Sequence, residues 1–211
     1  MSYTILFPNY TIGEDAFTEI PKVCRQYGRK IAVIGGKTAL SKAQTEIEEA
    51  VKGSDLEILD VLWYGGDATL EHVEELKNNK AVQEADMLFG VGGGRAIDTC
   101  KMVAHDLKKP FFTFPTIAST CAACTGVAVY YYPNGEFRDL YLSDIPTNHI
   151  FISTKIIAEA PEVYLWAGIG DTLAKHYESV FSSRNDELEH FNALGVNISA
   201  MSADPLVKIG R

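Results

Sequence analysis

The chain has 211 residues, 46% of them hydrophobic and 22% charged, with a formal net charge of −9. That length supports a real core in one domain or one and a half, and the acidity argues against nucleic acid or an anionic membrane as a main partner. No apolar run reaches the roughly 20 residues that span a bilayer, the first residues lack the basic and apolar regions of a signal peptide, and four cysteines do not make a secreted disulfide framework in a chain of this size, so the cytoplasm is the expected compartment.

In chain order, residues 3–7 predict a short strand ended by Pro8. Residues 12–27 have a helical pattern that Pro21 interrupts or begins anew. Residues 30–34 are a continuous apolar run before Gly35 and Gly36, the signature of a buried parallel strand. A helix over 39–51, a β-like run over 56–62 and a polar helix over 69–79 follow. Residues 85–91 predict a strand that leads into Gly92, Gly93 and Gly94, then a helix over 95–106 and a strand over 110–114. This alternation implies a doubly wound parallel α/β sheet, in which ligands bind beyond the carboxyl ends of the strands. Four turns could line that rim: Gly35-Gly36, Gly65-Gly66-Asp67, Gly92 to Gly94 and Pro115-Thr116.

The pattern then changes. Residues 125–132 and 136–141 read as strands joined by Pro133-Asn134-Gly135, a hairpin signal. Residues 149–153 predict another strand. After Pro161 two helical stretches, 162–182 and 186–203, follow with no strand between them. A domain boundary is expected near Ala160, giving an α/β domain over 1–160 and the start of an all-helical domain over 161–211. Two helices alone would leave apolar faces such as Leu165, Leu173, Leu194 and Ile198 thinly covered.

Several residues could carry chemistry. Three consecutive glycines after a strand let backbone approach a ligand, and the helix that follows offers free N–H groups to a diphosphate. The spacing is neither the G-x-G-x-x-G nor the P-loop pattern, and such a triplet can also be no more than a tight turn. Asp98 and Lys101 lie three apart and can share one helix face. Asp171, in a mostly apolar helix beside Gly168 and Gly170, needs a partner. A metal ion is one such partner, and hydrogen bonding at a helix N-cap is another. His176 and His190 are ligand candidates by residue type alone, while His72, His105 and His149 read as surface or loop residues. Cys121 and Cys124 have C-x-x-C spacing, but without a second pair or a thioredoxin context they read as small residues lining a loop at the sheet edge. The hydroxyl-rich segment 115–120 could bind a phosphate or ribose.

Taken together, Gly-Gly-Gly-Arg-Ala-Ile-Asp-Thr-Cys-Lys (92–101), Phe-Pro-Thr-Ile-Ala-Ser-Thr (114–120), Asn-Gly-Glu-Phe (134–137) and Ala-Gly-Ile-Gly-Asp-Thr-Leu-Ala-Lys (167–175) resemble the iron-containing alcohol dehydrogenase family. The nearest branch is that of glycerol dehydrogenase and hydroxycarboxylate dehydrogenase. The resemblance runs over nearly the whole chain. It implies a Rossmann-like α/β domain followed by a helical domain, the dehydroquinate synthase-like fold. It also implies hydride transfer between NAD(P) and an alcohol, polyol or 2-oxo acid, with a divalent metal such as zinc, iron or nickel as Lewis acid. Family members are often homo-oligomers. By position, Gly92, Gly93, Gly94 and Asp98 match the diphosphate and nicotinamide side. Thr116 and Thr120 match the loop over the cofactor, Val127, Val129 and Tyr131 match the strand beside it, and Lys101 matches the lysine of the same helix. Asp171 matches the metal-binding aspartate.

Three departures from the family pattern bear on function. Cys121 stands on the substrate side, where glycerol dehydrogenases have an aspartate, which suits an anionic 2-oxo acid. Gly36 and Lys37 stand where NAD-specific members place an acid, so a 2′-phosphate and hence NADP is favoured. The family's two metal-binding histidines lie beyond the last residue, so the chain is expected to be a shortened member that binds nucleotide without holding metal tightly or turning over. A lyase of the dehydroquinate synthase type would share the fold, but its basic clusters are not seen.

Overall fold

The computed structural model describes residues 4–185 and 187–209. They divide into two compact units, Met1–Ile117 with Cys121–Ala160, and Ala118–Thr120 with Pro161–Arg211.

The first unit opens with β1 (Asn9–Gly13), followed by a 3-10 turn (Ala16–Glu19), α1 (Ile20–Cys24) and a second 3-10 turn (Arg25–Tyr27). β2 (Lys30–Gly35), α2 (Lys37–Val51), β3 (Glu57–Trp63), α3 (Leu70–Lys77) and α4 (Lys80–Glu84) come next. β4 (Met87–Gly92), α5 (Gly94–Asp106) and β5 (Phe111–Pro115) complete the alternating part. β6 (Val127–Tyr131) and β7 (Phe137–Leu142) form a separate antiparallel hairpin, before β8 (His149–Ser153) and α6 (Thr154–Ala158). The main sheet has six parallel strands in the order β1-β8-β5-β4-β2-β3.

The central strands are covered on both faces, which is why their sequence is a continuous apolar run rather than an alternation. Ile31 and Val33 of β2 face one layer with Phe89, Phe112, Phe114 and Phe151, under α2. Ala32 and Ile34 face the other layer with Leu88 and the α5 residues Ile97, Cys100 and Val103. Close packing of α5 needs a glycine in the strand below it. A Cβ on Gly90 would lie 2.8 Å from the Phe111 ring and 3.1 Å from Cys100 Cβ.

The second unit contains α7 (Glu162–Ser182) and α8 (His190–Ile209). No residue of α7 is fully buried. Leu165 is 50% and Ile198 43% exposed, while Leu173 and Leu194 are half-buried.

Four expectations change. Residues 4–8 form no strand, and Tyr3 lies outside the described residues. The first strand begins after Pro8, whose nitrogen has no hydrogen to donate to a ladder. The helix expected over 12–27 is instead the end of β1 and three short helical pieces, with Pro21 in the first turn of α1. α8 starts at His190, and Asp186 lies outside the described residues. His149 is neither a surface nor a loop residue. It is buried in β8, and its Nε2 lies 2.8 Å from Thr11 Oγ1 across the β1–β8 pair.

That burial, against Phe151 at 4.7 Å, holds the His149 imidazole below its ordinary pKa of 6.5. A depressed folded-state value means that the unfolded chain takes up the proton first as pH falls. The stability given by the neutral ring is therefore complete above about pH 6.5 and is lost as pH falls through the folded value. Thermal unfolding between about pH 8 and about pH 5 should show this loss in the wild type and less of it in His149→Gln, whose amide takes no proton in that range. Parallel curves would clear His149 of the effect.

Candidate functional site

β2 and β4 are neighbours in the sheet, and the helices that follow them leave to opposite faces. α2 packs in the layer of Phe89 and Phe112, whereas α5 packs in the layer of Leu88 and Ile34. A crevice must open between two such strands at their carboxyl ends, and in open parallel sheets this is where ligands sit.

The residues at the crevice suit a close-fitting ligand. β4 ends at Gly92 with φ at +149°, Gly93 precedes the first helical turn, and Gly94 is the first residue of α5. A Cβ on Gly92 would lie 2.9 Å from Ala96 Cβ, and one on Gly93 would lie 2.6 Å from Ile117 Cδ1. Across the crevice a Cβ on Gly35 would lie 2.6 Å from the Val91 carbonyl oxygen. The Gly36 N–H donates to that oxygen at 3.2 Å and the Thr116 N–H donates to the Gly92 carbonyl at 3.2 Å, so three strand ends are laced together. Both α2 and α5 begin here, and the first N–H groups of a helix have no partner within it. Two positive helix ends therefore meet at one glycine-lined edge.

The charged groups around this edge are themselves positioned. Lys37 is the first residue of α2, and its ammonium lies 4.4 Å from the ring centroid of Trp63 at the end of β3. Arg95, in the first turn of α5, pairs with Asp67 at 3.2 Å, and its guanidinium lies 5.0 Å from the centre of the Tyr131 ring. The Tyr131 N–H donates to the Ala68 carbonyl at 2.8 Å, which ties β6 to the same corner. Sequence reasoning missed this Asp67–Arg95–Tyr131 arrangement and the Trp63 platform. An acid after a Gly-Gly turn that faces a basic residue after a Gly-Gly-Gly turn was the available signal.

Asp98 and Lys101 do share one face of α5, as their spacing implies, and pair at 3.2 Å. Both are buried. Lys101 Nζ also donates to the carbonyls of Ala122 (3.0 Å) and Val127 (2.5 Å) and to Thr125 Oγ1 (3.4 Å). The other Asp98 oxygen accepts the Val129 N–H at 3.2 Å. Burial pushes the Asp98 carboxyl up and the Lys101 ammonium down, and each opposes the other's shift. Thr116 is buried, whereas Val127 is exposed at the start of β6. Cys121 precedes a 3-10 turn that ends at Cys124; the two form no disulfide, and the Cys124 thiol lies 3.1 Å from the Cys121 carbonyl.

Within the second unit, Asp171 forms an ion pair with Lys175 one turn later in α7. A Cβ on Gly168 would lie 1.8 Å from the Ala118 carbonyl oxygen, so the backbone of 118–120 rests directly on α7 at that glycine. Thr120 belongs to this unit. His176 is half-buried, and its Nδ1 is buried without a hydrogen-bond partner among the described residues. Among the described residues no three His, Cys, Asp or Glu side chains come together as a metal site. One carboxylate, paired here with a lysine, is too few donors for a divalent cation, so the described residues by themselves do not make up the metal site that the resemblance implies.

The two glycines of the turn differ in what they tolerate. Gly92→Ala puts a side chain at a positive φ and against Ala96, and it should destabilise the chain by about 1–3 kcal/mol. Gly93→Ala meets only the movable tip of Ile117 and should cost about 1 kcal/mol or less. Urea unfolding of the two variants measures this, and equal losses would mean that the turn is not built in this way.

Comparison with known proteins places this geometry. A family model described as iron-containing alcohol dehydrogenase matches residues 8–148. The chain is 34% identical over 177 residues to a glycerol dehydrogenase of Escherichia coli O6:H1, covering 83% of this chain and 48% of that protein. It is 35% identical over 175 residues to hydroxycarboxylate dehydrogenase A of Escherichia coli K12, covering 82% of this chain and 47% of that one. The crystal structure of glycerol dehydrogenase from Schizosaccharomyces pombe superposes with a TM-score of 0.86 at 27% identity, over 99% of this chain and 54% of that one. The chain thus spans about half the length of the relatives it matches. With the family model covering well over half of its residues, the glycine turn and the helix α5 included, this chain belongs to the iron-containing alcohol dehydrogenase family.

Proposed function

We propose that this chain is the nucleotide-binding part of a metal-dependent NAD(P) oxidoreductase that interconverts an alcohol or 2-hydroxy acid and its carbonyl compound. In this reading residues 1–160 form the nucleotide domain and residues 161–211 open the helical one. The observation that carries it is the crevice between β2 and β4, where Gly35 and Gly92 leave no room for side chains, Gly93 keeps the backbone bare beside Ile117, and two helices start. A diphosphate suits that edge, because its oxygens can take the free N–H groups of α5 while Arg95 stays held aside by Asp67. Lys37 on the Trp63 ring offers a cation at the first turn of α2, which supports NADP over NAD. Asp98, Thr116, Thr120, Val127, Val129 and Tyr131 remain candidate contacts for the rest of the cofactor. When bound, the nicotinamide supplies the hydride chemistry, and these residues bind and orient it.

Cys121 in place of a carboxylate favours a substrate that is itself anionic, a 2-oxo acid rather than glycerol. The second reading is an NAD-linked glycerol dehydrogenase, which the names of several relatives favour. A third is a nucleotide-binding remnant, which the pairing of Asp171 with Lys175 favours. No metal-dependent step is assigned to Asp171. Among the described residues no helix is long and apolar enough to cross a membrane, and the proposed partner is a small molecule. A homo-oligomer and a cytoplasmic location complete the proposal.

Fluorescence titration with NADPH and NADH tests the reading. NADPH should bind, Gly93→Val should abolish binding while leaving the chain folded by circular dichroism, and Lys37→Ala should weaken NADPH roughly tenfold without changing NADH. Unchanged affinity in Gly93→Val would sink the glycine-turn assignment. Equal binding of the two nucleotides by the wild type would sink the NADP preference alone.

A further inference from the structure

We propose that Lys101 is a positioning residue: its ammonium, paired with Asp98 inside α5, holds the backbone of residues 122–129 and so sets the β6 wall of the nucleotide site. The inference rests on the nucleotide-binding reading above.

The geometry is unusual for a lysine. Its side chain is 4% exposed and that of Asp98 is 10% exposed. Four acceptors surround one nitrogen: Asp98 Oδ1, the carbonyls of Ala122 and Val127, and Thr125 Oγ1. An ammonium supplies three protons to such a cluster, and no neutral side chain of this shape does. Asp98 extends the arrangement by accepting the Val129 N–H, so two adjacent turns of α5 grip backbone from residue 122 to residue 129. A second tie is weaker in kind: Thr113 Oγ1 donates to the Ala123 carbonyl at 3.0 Å, a neutral hydrogen bond to one residue of the segment. The far end of β6 is tied separately, by the Tyr131 N–H to the Ala68 carbonyl, and β7 has its own tie to α5 through Tyr141, which lies opposite Ala128. The Tyr141 hydroxyl donates to Asp106 Oδ1 at 2.6 Å and lies 2.6 Å from His105 Nδ1. Loss of the ammonium should therefore loosen residues 122–129 while Tyr131 and β7 keep their own ties.

Lys101→Met by itself leaves a buried, unpaired carboxylate and could unfold the chain. The informative pair is Asp98→Asn, whose amide oxygen still accepts the Val129 N–H, and Asp98→Asn combined with Lys101→Met. In the full chain, the double variant should bind NADPH roughly tenfold or more weakly than Asp98→Asn alone. Amide hydrogen exchange should speed up over residues 122–131 while Met87–Gly92 of β4 stays protected. In Asp98→Asn combined with Lys101→Ala, added propylammonium should restore NADPH affinity and 1-propanol should not. Equal NADPH affinity in the single and double variants overturns the proposal, and so does equal recovery with propanol, which would make volume rather than charge the requirement. If the wild type binds neither NADPH nor NADH, the nucleotide reading falls instead. Exchange then decides alone, and unchanged rates over 122–131 in the double variant overturn the clamp.

Discussion

The architecture depends on one constraint, that strand β4 carries no side chain where helix α5 crosses it. Gly90 admits Cys100 and the Phe111 ring to van der Waals distance of the strand, and Gly92 admits Ala96. Because α5 lies that close, its first turn emerges at the edge of the sheet beside the start of α2. Its middle is driven so deep that two charged residues, Asp98 and Lys101, are buried with it. Burying charge is costly unless every group finds partners, and here the partners come from the hairpin. The packing of one helix thus fixes the crevice edge and, through its polar residues, the strand beside it.

Much of this was legible because buried parallel strands write themselves as uninterrupted apolar runs. β2, β4 and β5 could be read in this way, and so could the Gly92–Gly94 turn and the Pro133-Asn134-Gly135 hairpin. What escaped did so for identifiable reasons. α4 and α6 have five residues each, too few for a helical period to show. Hydropathy points to a first strand before Pro8 because residues 3–7 are more apolar than residues 9–13, yet the pairing of β1 with β8 lies after the proline, and that partner is remote in sequence. His149 opens the predicted strand 149–153 after a polar stretch and looks like a surface residue until β1 and β5 close on either side of it.

Lys101 is the clearest limit on reading from sequence. The i, i+3 spacing to Asp98 was visible, but the acceptors that explain its burial lie 21 to 26 residues further on, in a loop and the first residue of β6, with no charge to advertise them. Asp171 is the reverse case. Its ion-pair partner, Lys175, was in plain view at i, i+4, and the family resemblance assigns the same carboxylate to a metal. The chain belongs to the family and spans about half the length of the relatives it matches.

The Lys37–Trp63 contact has a practical consequence. The chain contains two tryptophans, and Trp63 is 49% exposed with an ammonium 4.4 Å from its ring centre. Indole emission responds to the local electric field, so a neighbouring cation tunes its wavelength. Any anion that draws Lys37 away from the ring changes that field at once. The fold has thereby placed a built-in optical reporter at the mouth of the crevice, with Trp166 on α7, in the other compact unit, as its internal reference.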